Sequence, residues 1–129
     1  MAESSSSLHE SNLPPDTVDR HRAIVSLMEE LEAVDWYDQR VHAATDDELR
    51  AVLAHNRDEE KEHAAMMLEW LRRNDAKFAE HLDTYLYSEG ALTAVEESTK
   101  EGGSAKASGE AGSAKRSDGS LGIGSLRGK

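Results

Sequence analysis

Two stretches of this chain, about 17–44 and 46–73, contain neither glycine nor proline and repeat their stripe residues alternately four and three apart. In the first the stripe reads Ala23, Leu27, Glu30, Val34, Tyr37, Val41. In the second it reads Leu49, Leu53, Asn56, Glu60, His63, Met67, Trp70. That alternation marks helices that bury one seam against a neighbour, and no strand pattern competes with it. Pro14-Pro15-Asp16-Thr17 predicts a helix start capped by Asp16 or Thr17. Thr45-Asp46-Asp47-Glu48 reads as a capping box that ends one helix and opens the next. Asn74-Asp75 predicts a further turn, followed by a shorter helix over about 76–88. Gly90 interrupts it, and Leu92 to Glu97 add one more turn. The expected fold is all-α: an antiparallel two-helix hairpin plus a short third helix.

The polar members of both stripes fall in the middle. A buried carboxylate without a partner costs several kcal/mol or changes its protonation, so Glu30, Glu60 and His63 need compensation. Glu60 and His63 are three apart and project from one helical face. Glu30 lies fifteen residues before Thr45 and Glu60 fifteen after it. At ~1.5 Å rise per residue both sit about 22 Å from the turn, side by side. Two carboxylates and an imidazole at one level are half of a di-iron carboxylate set, in which two helices each give a Glu and two each give a Glu-x-x-His. Two hairpins about a two-fold axis complete it. The competing reading of Glu60 is a surface salt-bridge network with Arg57 and Lys61.

Composition fits a chain that pairs. Of 129 residues, 37% are hydrophobic and 5% aromatic, so the core of a lone copy is thin. With no cysteine, a metal must be held by oxygen and nitrogen, which suits iron, manganese or zinc. Residues 1–98 carry 23 acidic side chains against 9 basic ones, a surface that repels nucleic acid and gathers cations. There is no apolar run long enough for a bilayer and no secretory pattern, so a cytoplasmic protein without membrane or nucleic-acid partners is expected. Residues 1–13 are polar and Ser-rich, an expected disordered terminus before a helical domain over 14–97. Eight of nine glycines lie from Gly102 onward, which makes 98–117 a flexible linker.

Around the triad the residues leave alternatives open. Glu29 and Glu32 share a face beside that of Glu30, either as a lane for cations toward the centre or as an ordinary solvated face. Tyr37 is either hydrogen-bonded to a ligand carboxylate or packed at an interface. Trp36 either shields the entrance or buries itself against a neighbouring subunit. Glu59 and Glu62 lie off the stripe, as solvated residues do. His21, His42, His55 and His81 lack a carboxylate at ligand spacing in a stripe, and Met28, Met66 and Met67 are filler. In 118–129, Leu121, Ile123 and Leu126 stand among glycines, either to fill a partner's groove or as a terminus without a role.

Glu29-Glu30-Leu31-Glu32-Ala33-Val34-Asp35-Trp36-Tyr37 and His55-Asn56-Arg57-Asp58-Glu59-Glu60-Lys61-Glu62-His63-Ala64 closely resemble the encapsulated ferritins. Gly119-Ser120-Leu121-Gly122-Ile123-Gly124-Ser125-Leu126 is similar to their encapsulin-targeting peptide. The resemblance spans about 17–96 and the tail. It implies a hairpin that dimerises into a ferritin-like four-helix bundle, with dimers assembled into a ring-shaped decamer. It implies ferroxidase ligands Glu30, Glu60 and His63 around a di-iron centre, Glu60 bridging, and Tyr37 beside them. Glu29 and Glu32 match metal-entrance residues, which would take Ca or another divalent cation, and Trp36 matches the aromatic near that entrance. Fe(II) oxidation by oxygen is the implied activity, and iron storage in an encapsulin nanocompartment reached through residues 118–129 the implied setting. The rival class is a non-catalytic helical adaptor, or another divalent-metal-binding protein, carried as shell cargo.

Overall fold

The computed structural model describes residues 6–101. The targeting-peptide reading of 118–129, and the linker reading from residue 102 on, lie outside the described residues. All regular structure among the described residues is helical: α1 Pro15–Ala43, α2 Asp47–Asn74, α3 Ala76–Tyr85 and α4 Leu92–Glu101. The chain falls into two compact units, one ending at Ala79 and one beginning at Glu80. The first holds the antiparallel hairpin of α1 and α2.

Each helix end has a local cause. Pro14 is the N-cap of α1 and makes no side-chain cap bond; its carbonyl accepts from the Thr17 and Val18 amides, both at 3.1 Å. Asp16 and Thr17, expected as caps, lie inside the first turn because Pro15 presets the helical φ one residue earlier. There both meet Arg20, Asp16 at 3.7 Å and the Thr17 hydroxyl at 3.3 Å. The cap of α2 is Asp46 rather than Thr45: its carboxylate accepts from the Leu49 amide at 2.8 Å, and an aspartate caps at least as well as a threonine. Asp75 starts α3 in the same way, accepting from the Phe78 amide at 3.0 Å.

A three-residue connector, 44–46, joins the two long helices, and Arg50 straps it. Its guanidinium donates to the Val41 carbonyl at 3.2 Å and to the Ala44 carbonyl, while pairing with Asp47 at 2.7 Å. Carbonyls in the last turn of a helix have no intrahelical donor, so this strap satisfies α1 from α2. It ties the two helices at the end from which their register is counted.

Among the described residues only Ala23, Ala64 and Leu71 are buried, and no polar or charged side chain is. The seam expected to form a core is therefore only half covered in one chain. Two helices hide the sides that face each other and nothing more. Ile24, Met28, Leu31, Met66 and Trp70 remain exposed along the hairpin, Met66 to 59%. In the second unit, α4 runs on to Glu101, longer than the single turn expected and past residue 98. Nothing breaks the helix before Gly102. Among the described residues no helix is long and apolar enough to cross a membrane.

Candidate metal centre

The stripes bring Glu30 on α1 to the Glu60–His63 pair on α2. Among the described residues these three form the one group of His, Cys, Asp and Glu whose donor atoms could hold a metal ion, with one atom from each lying within 4.8 Å of the others. The His63 Nδ1 is 3.3 Å from the Glu60 carboxylate and 3.6 Å from that of Glu30. The register argument, fifteen residues either side of Thr45, thus describes the actual juxtaposition. The side chains of Glu30, Glu60 and His63 are 26%, 25% and 44% exposed. The triad sits on an open edge, not in a sealed core.

The electrostatics are those of three groups sharing too little positive charge. A hydrogen bond with Glu60, then desolvation, raises the Glu30 pKa, so this carboxyl keeps its proton longer than usual. The same bond from Glu30, and then His63, lowers that of Glu60. His63 is raised above 6.5, chiefly by its hydrogen bond to Glu60 and then by the charge of Glu30, against a desolvation cost. Protons hold the ligands together here, and a cation can take their place between the same oxygen and nitrogen atoms. Two hard carboxylates with one imidazole suit iron, manganese or zinc.

The remaining predicted residues are nearby in sequence but outside this cluster. Glu29 and Glu32 are exposed on α1. Trp36 is 49% exposed and Tyr37 half-buried, with the Arg40 guanidinium carbon 5.8 Å and 5.5 Å from their ring centres. A cation over two aromatic faces holds both rings on one side of α1.

Arg57 and Lys61 behave differently from the surface network expected around Glu60. Arg57 crosses to α1, where its Nη1 donates to Asp38 at 3.0 Å, and its Nε donates to Asp58 at 3.1 Å. Lys61 lies 3.7 Å from the same Asp58 oxygen. Glu60 has its ion pair with His63 instead. Counting equal distances from the turn misses the Arg57–Asp38 bridge, because the two are not level. Helical side chains lean toward their own N-terminus, so the long Arg57 side chain reaches toward the connector, where Asp38 lies.

Residues 6–89 match the EncFtn-like family. The whole chain is 65% identical over 131 residues to the encapsulated ferritin-like protein of Rhodospirillum rubrum, covering 94% of that relative. It is 54% identical over 91 residues to a ferritin-like protein of Thermotoga maritima, covering 70% of this chain and 79% of the other. A shorter match, 38% identical over 52 residues, is to the encapsulin nanocompartment cargo protein EncC of Myxococcus xanthus. It covers 40% of each chain. Among solved structures, protein ne0167 of Nitrosomonas europaea superposes with a TM-score of 0.64 at 57% identity, covering 66% of this chain and 96% of that one.

Proposed function

The chain belongs to the EncFtn-like family of encapsulated ferritin-like proteins, and from that premise we propose that it is a ferroxidase. Fe(II) is its substrate, oxygen takes the electrons, and the Fe(III) product passes to storage inside an encapsulin shell. The observation that carries this reading is the Glu30–Glu60–His63 cluster, with its donor atoms within 4.8 Å on a partly open edge of the hairpin. Glu30 and Glu60 offer hard anionic oxygens, which favour Fe(III) over Fe(II), and the family resemblance makes Glu60 the bridging ligand. His63 supplies nitrogen and, once deprotonated, completes the half-site.

Three ligands at an edge leave a metal half coordinated, so the site takes a second copy of this chain. Ile24, Met28, Leu31, Met66 and Trp70 are exposed along the two helices and offer apolar surface for further copies to cover. Pairing brings four carboxylates and two histidines around two irons, in a ferritin-like four-helix bundle. Dimers then build the ring-shaped decamer. Glu29 and Glu32 line the entrance, where Ca or another divalent cation would bind, with Trp36 beside them, and Tyr37 stands next to the ligands. Residues 118–129 dock the assembly to the shell protein, which puts it inside a cytoplasmic nanocompartment. The M. xanthus relative's name as encapsulin cargo supports that setting.

The test is oxygen consumption on adding Fe(II). The wild type consumes oxygen in proportion to iron added, and the Glu30→Ala, Glu60→Ala, His63→Ala triple variant does not. Equal consumption by both ends the assignment.

A further inference from the structure

We infer that Asp38 and Asp58 are positioning residues that hold the Arg57 guanidinium away from Glu60, leaving that carboxylate's charge for a metal. The inference rests on the ferroxidase reading and extends it to residues outside the ligand set. Arg57 stands three residues before Glu60, so the two share a face of α2. Where the acid comes first, arginines at this spacing pair with it: Arg22 with Asp19 at 2.7 Å, Arg50 with Asp47 at 2.7 Å, Arg72 with Glu69 at 2.8 Å. Arg57 and Glu60 stand in the reverse order, within reach of each other but in the weaker orientation, and Arg57 pairs elsewhere. Its guanidinium is drawn sideways by Asp58 and across the hairpin by Asp38, and its side chain is only 21% exposed. Asp58 also takes the other flanking cation, Lys61.

A resident arginine on Glu60 would compete with any incoming cation for the same oxygens. The two aspartates remove that competitor without removing its positive charge from the helix. Asp38 does a second thing: it belongs to α1, so the bond that diverts Arg57 also ties α2 to the helix carrying Glu30.

The experiment is Co(II) titration of the full-length protein at low salt, followed by absorbance. Wild type binds Co(II) through the triad, and Glu60→Ala abolishes that binding. The Asp38→Asn, Asp58→Asn double variant binds about fivefold more weakly, the size of one exposed ion pair gained by the competitor. Adding Arg57→Gln to it restores wild-type affinity. Adding Lys61→Gln, an identical charge change without Arg57's position on the Glu60 face, does not. Asp58→Asn alone, at an exposed position, weakens binding in the same direction by less and keeps the test open if the double variant folds poorly. Equal restoration by Arg57→Gln and Lys61→Gln would reduce the effect to general field strength and overturn the inference. So would an unchanged affinity in the aspartate variants while Glu60→Ala still abolishes binding, which leaves the metal-site reading standing. If wild type and Glu60→Ala bind alike, the metal-site reading fails and this inference falls with it.

Discussion

Replacing Arg50 by methionine tests whether the connector strap stabilises the hairpin. Methionine keeps an unbranched apolar stem and removes the guanidinium. The structure loses hydrogen bonds to the Val41 and Ala44 carbonyls and an ion pair with Asp47. Hydrogen bonds from a charged donor contribute about 1.5–3 kcal/mol each when well buried. The Arg50 side chain is 40% exposed, so water replaces part of that, and about half survives. The exposed Asp47 pair adds at most ~0.5 kcal/mol. The expected loss is about 2 kcal/mol, which for a folded region of this size lowers the melting temperature by roughly 10 °C. Thermal unfolding of the metal-free protein followed by circular dichroism measures it. Asp47→Asn, which touches only the ion pair, should move the midpoint by no more than ~4 °C. If Arg50→Met shifts the midpoint no further than Asp47→Asn, the carbonyl bonds contribute nothing and the strap is misread.

Three further outcomes are expected. The raised His63 pKa means its protonated form is favoured in the folded chain, a contribution fully present below about 6.5 and lost as pH rises through the higher folded value. The melting temperature of the metal-free protein should therefore fall as pH rises above about 6.5, with a flatter profile in His63→Gln; identical profiles would remove His63 as the cause. Glu69, held down to about 2 by Arg72 and then Arg73, works the other way, its contribution present above 4.5 and lost only as pH falls through about 2. At 41% exposure of Glu69, Glu69→Gln should cost no more than ~1 kcal/mol at neutral pH, and a midpoint loss above ~8 °C would show a larger role. Deleting residues 118–129 should abolish co-purification with the shell protein while ferroxidase activity persists, and activity lost with the tail would mean those residues act at the site.

The level of Glu30 with Glu60 was readable from the chain because both helices are uninterrupted and the connector is short. Counting outward from Thr45 then places residues reliably at 1.5 Å per step. The caps were less legible. Thr45 and Asp46 both satisfy the rule for an N-cap, and only the backbone decides that Asp46 meets Leu49. Periodicity also reports which face is to be buried without saying by which chain, so a stripe expected as core is half exposed in a single copy. The partner of Arg57 was not legible for a different reason. Its spacing to Glu60 is that of a local pair, whereas the stronger claim on it comes from Asp38 on another helix, reached by a side chain that leans along its own axis.

Native mass spectrometry during anaerobic Fe(II) titration puts the central claim, a two-chain iron site built from Glu30, Glu60 and His63, to the most direct test. The account predicts that iron appears on even-numbered assemblies at two ions per pair of chains, and that Glu60→Ala removes it. Iron bound one per isolated chain, or retained at the same stoichiometry in Glu60→Ala, would contradict it.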